Sequence, residues 1–241
     1  MIQALPAPTV TCEAVDVSHA GRWLIVRFAE EHSVASWALI GGGLGRAASV
    51  VWHQVSEDEL RPPIDARELF RERLRQRALE HSVGLLTSRD LGAYVDVVER
   101  QGGVEARCVA TVGLGNALRA GDPPGPTGRI RRLGTINVLC RFSEPLSCEA
   151  LLEAMAIATE ARTLAVREGA IPSTVSSKPA SGTGTDCVVV ATPARGAQLR
   201  YAGKHTLAGH LIGSAVYQAT RRGVEDWKRE WEARQHSREP R

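Results

Sequence analysis

SCEALLEAMAIATEARTLAVREG, residues 147–169, decides the fold. Ser147 offers a side-chain oxygen to the first turn and Gly169 a C-terminal stop, so the segment predicts a helix. Leu151, Met155, Ala158 and Ala165 mark one apolar face, and further alanines surround it. A helix this apolar packs inside a fold rather than lying on its surface. Working outward, GTINVLCRF at 134–142 and CVVVATP at 187–193 flank it as apolar runs rich in branched residues, the pattern of buried strands. KHTLAGHLIGSAVYQATRRG at 204–223 predicts a second helix. Its Ala208, Leu211, Ile212, Ala215, Val216 and Ala219 recur at helical spacing on one inward face. The charged segment 224–241 continues as a helix or tail, with Trp227 and Trp231 four apart.

The first 60 residues read as strands. TCEAVDV at 11–17, WLIVRFA at 23–29 and VASWALI at 34–40 are separated by His-Ala-Gly and Glu-Glu-His turns, as in an antiparallel meander. GGGLG at 41–45 breaks the pattern, AASVVWHQV at 47–55 resumes it, and Pro62-Pro63 ends it. A helix then runs to about Glu80. VGLLTS at 83–88 and VEARCVATVGL at 104–114 read as strands, while DLGAYVDVVERQG at 90–102 fits either strand or helix. The 120–128 segment, which contains GDPPGPTG, and IPSTVSSKPASGTGT at 171–185 are loops by composition. The expected architecture is α/β or α+β. It is one layered catalytic domain over 1–223, a mixed or antiparallel sheet packed by the long helices of the C-terminal half, followed by the 224–241 tail.

The 241 residues are 43% hydrophobic and 24% charged, which excludes collagen, coiled coil and a largely disordered chain. No apolar run reaches the ~18 residues of a membrane span, and MIQALPAPTVTCEAVD lacks a signal-peptide pattern, so a cytoplasmic location is expected. The five cysteines form no CxxC, and Cys108, Cys140 and Cys187 lie in apolar runs, which points to buried thiols rather than a zinc site. Net charge is +3, carried by 27 arginines and three lysines, too small an excess to imply nucleic acid. RELFRERLRQR at 67–77 mixes acids with its arginines and spaces Phe70 and Leu74 four apart, as a solvated amphipathic helix does.

Three glycine-rich segments are candidates for chemistry. GGGLG at 41–45 is one. GLGN at 113–116 has two glycines of a dinucleotide loop, but Leu118 stands in the place of the third and a Pro-rich loop follows. SGTGTD at 181–186 precedes a strand; backbone N–H groups beside Thr183 and Thr185 could face an anion or a developing oxyanion, with Asp186 adjacent. The competing reading is a plain turn into a buried strand. In YAGKHT at 201–206, Lys204 and His205 precede a helix, where the positive end favours an anionic intermediate or a proton transfer. A His that merely caps or packs at the helix start reads equally well. His205 and His210 are five apart and do not share a helix face, so no protein-bound metal is expected. Asn116, Thr135, Asn137 and Glu160 are polar residues in apolar elements. Together they suggest a polar pocket at one end of the sheet.

TVGLGNALRAG (111–121), GTINVLC (134–140), ATEARTLA (158–165), SGTGTDCVVVA (181–191) and YAGKHTLAGHLIGSAVY (201–217) together resemble the adenosylcobinamide amidohydrolases, over about residues 35–222. The resemblance implies a corrinoid-salvage hydrolase that cleaves the amide between the aminopropanol arm and the corrin ring, giving adenosylcobyric acid. The chain departs from the family pattern where Gly41-Gly42-Gly43 and Trp52-His53-Gln54-Val55 replace asparagine-bearing motifs. On this reading Asp186 and His205 handle protons. Lys204 and the backbone of 182–185, including Gly182 and Gly184, stabilise negative charge. Thr183 or Thr185 attacks, or water does so directly. His53, Asn116, Thr135, Asn137 and Glu160 contact the substrate. No cofactor is expected, since the cobalt belongs to the corrinoid. The expected partner is that small molecule, with no nucleic acid or membrane, and a homo-oligomer is allowed. A non-catalytic corrinoid-binding protein and a phosphate- or nucleotide-binding enzyme built on the glycine loops are the alternatives.

Overall fold

The structure, a computed structural model, describes residues 15–56, 58–124 and 134–236. The expected strand residues 11–14, Cys12 among them, residues 125–128 of the expected loop and the last tail residues lie outside them. Ten strands and three α-helices follow in order. β1 is Val15–Ala20, β2 Trp23–Ser36, β3 Gly43–Gln54, α1 Ala66–Arg75, β4 Val83–Thr87, β5 Val95–Gln101 and β6 Val104–Val112. β7 is Ala117–Leu118, β8 Ile136–Phe142, α2 Cys148–Glu168, β9 Gly182–Thr183, β10 Cys187–Pro193 and α3 Leu207–His236. The main sheet runs β4-β3-β2-β10-β8-β6-β5, with β1 also paired to β2, and β7 and β9 form a separate two-stranded ladder. Pairing is antiparallel except for β10 with β8 and β3 with β4, so the sheet is mixed, as expected.

Two expected strands are one. Residues 23–29 and 34–36 belong to the single 14-residue β2, which ends before residues 37–40, and the expected Glu-Glu-His turn is an irregularity between Arg27 and His32. The irregularity bends the strand. On one edge β2 pairs with β1 before it and with β10 after it, so one long strand serves two neighbours. The 90–102 segment resolves into a short 3-10 turn at Leu91–Ala93 and then β5.

β8 and β10 are buried along their whole lengths, which requires cover on both faces. On one face α2 and α3 supply it. Ala154, Ala158, Leu211 and Ala215 pack with Ala110, Val138, Cys140 and Val190. On the other face the sheet covers itself: Leu24, Val50, Val83 and Leu85 share a cluster with Val109, Leu139 and Val189. β4 and β8 are four inter-strand steps apart, ~19 Å in a flat sheet. Yet the Asn137 side-chain amide of β8 donates to the Leu86 carbonyl of β4 at 2.8 Å. The sheet therefore curls over on itself, with Asn137 closing the curl.

α2 keeps the expected caps: Ser147 Oγ accepts from the Ala150 N–H at 3.2 Å, and Gly169 ends the helix. α3 starts three residues later than expected, capped by Thr206, whose Oγ accepts from the Gly209 N–H at 3.0 Å. It then runs unbroken past the expected 223/224 boundary, with Val224 and Trp227 buried in the same core as α2. No helix of the described residues is long and apolar enough to cross a membrane.

Replacing Asn137 by Ala removes the bond across the curl and leaves the Leu86 carbonyl without its partner. A loss of roughly 1–3 kcal/mol is expected, read as a lower urea midpoint at unchanged slope. An unchanged midpoint would show that the curl is held without this bond.

Candidate active site

The curl leaves a cavity of ≈ 550 Å³ at its mouth, between the N-terminal ends of β8 and β10 and the C-terminal end of β4. Gly134, Thr135, Asn137, Gly184, Thr185 and Asp186 form one wall. Leu85, Leu86, Thr87 and Ser88 face them, and Trp37, Leu39, Leu60 and Arg67 complete the rim. A second depression of ≈ 490 Å³ shares Ser88 and Gly134 with the cavity. It extends to Arg89, Gly113, Gly115 and the end of α3. Its far rim is fixed by Arg89 of the β4 end, whose guanidinium is 7% exposed and grips Glu230 of α3 through both terminal nitrogens. That ion pair holds the Glu230 carboxyl below the usual range.

Asp186 organises the 181–186 turn. Its Oδ2 accepts from the Thr183 N–H at 2.9 Å and pairs with Arg162; its Oδ1 accepts from the Thr183 hydroxyl and from the Ile136 N–H at 3.2 Å. Burial pushes its carboxyl above the usual range, while Arg162 and the Thr183 donors pull it back. Thr135 Oγ donates to the Thr185 carbonyl at 2.8 Å and Thr185 Oγ to the Gly134 carbonyl at 3.3 Å, stitching the start of β8 to the start of β10. The Trp37 indole N–H donates to the Asp186 carbonyl at 2.6 Å and lays its ring along the rim. Gly182 lies behind the turn: a Cβ there would fall on Asp186 Oδ2 and Arg162 Nη1, so only glycine lets that ion pair form.

Arg162, Arg67 and Trp37 were not among the expected site residues. Arg162 carried a signal: it shares the helix face of Ala158, Ala161 and Ala165, and a charge on a buried face must find a partner. Trp37 and Arg67 carried none, being an ordinary strand residue and an ordinary surface arginine by local pattern.

The structure does not bring the two expected catalytic segments together. Glu160 and Arg162 are two apart on α2, so their side chains diverge by ~200°. Arg162 points in to Asp186. Glu160, which was expected to line the pocket, points out, half exposed, and pairs with exposed Lys204. That pair borders a separate depression between α2 and α3 with Leu164 and His210. His205 is exposed at the same end of α3, where Thr206 already caps the first turn. Asn116 sits behind Gly134, its Oδ1 buried without a hydrogen-bond partner.

His53 is also away from the cavity. It is 4% exposed, stacked on Trp23 at 4.1 Å, with Nδ1–H donating to the Arg22 carbonyl at 3.1 Å and Nε2 accepting from Arg73 at 2.7 Å. Burial pushes the imidazole down to about 4, and Arg73 and Arg22 add to this. Cys187 borders the cavity, but burial pushes its thiol up to about 11, which leaves it unreactive. Among the described residues no cluster of three or more His, Cys, Asp or Glu side chains is placed to hold a metal ion.

Two outcomes follow. Gly182→Ala is expected to force Arg162 and Asp186 apart and to lower the melting temperature by several degrees or more; an unshifted transition would mean the pair is not constrained there. His53 lowers its proton affinity on folding, so its stabilisation is complete above about 6.5 and is lost as pH falls toward about 4. Urea midpoints measured across that interval should fall more steeply for the wild type than for His53→Gln, and equal slopes would discount His53.

The chain covers 89% of itself and 82% of the PH0078 protein from Pyrococcus horikoshii OT3 in a structural superposition, at 8% identity and a TM-score of 0.43. It also overlays the L-aminopeptidase D-Ala-esterase/amidase from Ochrobactrum anthropi at 12% identity and a TM-score of 0.39, covering 87% and 82% of the two chains. No curated protein matches the sequence. Residues 8–232 match the family CbiZ, adenosylcobinamide amidohydrolase. A match spanning nearly the whole sequence, cavity wall and helical layer included, places this chain in the adenosylcobinamide amidohydrolase family.

Proposed function

We propose that the protein hydrolyses the aminopropanol amide of adenosylcobinamide, releasing adenosylcobyric acid, with the scissile bond held in the cavity between Thr135, Asn137 and Thr185. The observation that carries this reading is the cavity wall. The ≈ 550 Å³ cavity is walled by fixed polar groups, and a neighbouring ≈ 490 Å³ depression shares Ser88 and Gly134 with its lining. A wide ring fringed with amides needs that breadth and a wall of fixed polar groups. The Thr135 and Asn137 side chains are already oriented by their bonds to Thr185 and Leu86.

Amide hydrolysis needs an attacking oxygen relieved of its proton, a stabilised oxyanion and a protonated leaving amine. Among the described residues that line the cavity, Asp186 is the one acid. Burial pushes its carboxyl above the usual carboxylate range, as for acids that work in proton transfer. In this reading a cavity water attacks the amide carbon and loses a proton to Asp186, which lines the cavity and whose carboxylate the Thr183 hydroxyl orients. The C–N bond then breaks, and the amine leaves with the proton from Asp186. The Thr185 hydroxyl, held only by a long bond to the Gly134 carbonyl, turns toward the oxyanion. Arg162 is a positioning residue: it fixes Asp186 and touches no substrate. Lys204 and His205 take no part.

The test is mass spectrometry of the products formed from adenosylcobinamide. Wild type is expected to yield adenosylcobyric acid and free aminopropanol. Asp186→Asn should lower kcat at least ~100-fold, Thr183→Val similarly, and Thr183→Ser should recover part of the loss. Lys204→Ala and His205→Ala should stay within about twofold of wild type, since each alters an exposed position that contributes little. Bound but uncleaved substrate would favour a corrinoid-binding protein, and loss of turnover in His205→Ala with Asp186→Asn active would reverse the assignment.

A further inference from the structure

The turn that leaves β2 carries an indole that the amide chemistry does not use. Trp37 is 48% exposed and lines the ≈ 550 Å³ cavity. Tryptophan is highly buried on average, so an indole left half open at a cavity rim is an unusual placement. Its side chain makes one hydrogen bond among the described residues, from the indole N–H to the Asp186 carbonyl at 2.6 Å. Among the described residues no aromatic ring or guanidinium is stacked on its faces.

The backbone around the indole is fixed. Ser36 Oγ accepts from the Ala38 N–H at 3.0 Å, and the Gly84 N–H donates to the Ile40 carbonyl at 3.0 Å. A Cβ on Gly42 would lie 2.5 Å from the Ala38 carbonyl oxygen, so the turn closes tightly on itself. The indole N–H bond then restrains the ring. Asp186 does not need that bond, since Thr183, Ile136 and Arg162 already hold its carboxylate. The bond to its main-chain carbonyl serves instead to hold the indole. Leu39 and Leu60 continue the apolar rim from Trp37, while Thr135, Asn137, Thr185 and Asp186 make one wall polar. A ligand with a flat apolar face and an amide at its edge satisfies rim and wall together.

We propose that Trp37 is a substrate-contacting residue, the platform on which the flat ring of the corrinoid lies while its amide arm reaches the polar wall. The proposal rests on the reading that the cavity holds the scissile amide. It adds where the ring is carried and by which side chain. A rigid aromatic side chain held in place before the ligand arrives contributes contact area at a low cost in conformational entropy. Trp37 acts on binding of the ring, and Asp186 on the bond that breaks, so the two residues have separable kinetic signatures.

Two measurements on the full chain test this. Trp37→Ala removes the ring, and Trp37→Phe keeps an aromatic face but loses the indole N–H. In steady-state kinetics with adenosylcobinamide, Trp37→Ala should raise KM about tenfold with kcat within about twofold, and Trp37→Phe should stay within about threefold of wild type in both. A fall in kcat at unchanged KM in both variants would overturn the platform and make Trp37 a positioning residue for Asp186. Equilibrium dialysis with dicyanocobyric acid, which keeps the ring and lacks the scissile amide, should show about tenfold weaker binding to Trp37→Ala and near-wild-type binding to Trp37→Phe. Equal binding to wild type and Trp37→Ala, or none to wild type, would also overturn it. Failure to form adenosylcobyric acid at all would instead refute the proposed reaction, and the dialysis would still decide the platform.

Discussion

Everything at the candidate site depends on the sheet closing over itself. A flat sheet would leave β4 and β8 on separate stretches of surface, and neither the cavity nor its opposed walls would exist. The curl is driven by burial. Leu24, Val50, Val83 and Leu85 have no helix to cover them and instead pack onto Val109, Leu139 and Val189 of the same sheet. Its closure is fixed by one directional contact, from Asn137 to the Leu86 carbonyl. Apolar burial is non-directional and tolerates sliding, whereas a hydrogen bond to a backbone carbonyl sets a definite approach. The pairing of a broad apolar driving force with a polar stop accounts for the Asn137 side chain sitting 2% exposed in a strand that is apolar apart from it and Arg141.

The same division of labour recurs at the 181–186 turn. Asp186 accepts from four donors on three segments, β9, β8 and α2. The cost of burying its charge is offset by Arg162 and by backbone N–H groups that would otherwise be unsatisfied. These partners fix the carboxylate's position relative to the start of β8 and to α2.

The fold was largely legible in the sequence where local pattern and tertiary environment agree. α2 announces itself by Ser147, Gly169 and its apolar face, and β8 and β10 by largely apolar runs. The two-stranded reading of residues 23–40 failed because Glu30, Glu31 and His32 have turn-like composition, while tertiary pairing kept the chain extended through a bulge. Of the candidate site, Thr135, Asn137, Gly184, Thr185 and Asp186 were found, since each is a polar or flexible residue at the end of an apolar strand. The curl was invisible, because a contact between residues 86 and 137 leaves no periodic trace in either segment. Lys204 and His205 drew notice through their place before a helix. What separates them from Asp186 is rotational phase on α2, which puts Glu160 and Arg162 on opposite sides of one cylinder.

α3 is 30 residues long, a rod of ~45 Å, and its two ends live in different environments. The first half is clamped against the sheet and α2; the final turns overhang the depression and are tied down by Arg89. Trp227 belongs to the hydrophobic core and also lines the depression, so the same turns of one continuous element serve packing and the concave surface. A change in the distal turns that reshapes the rim therefore also reaches the hydrophobic interior through Trp227, which couples the shape of that depression to the packing of the helical layer.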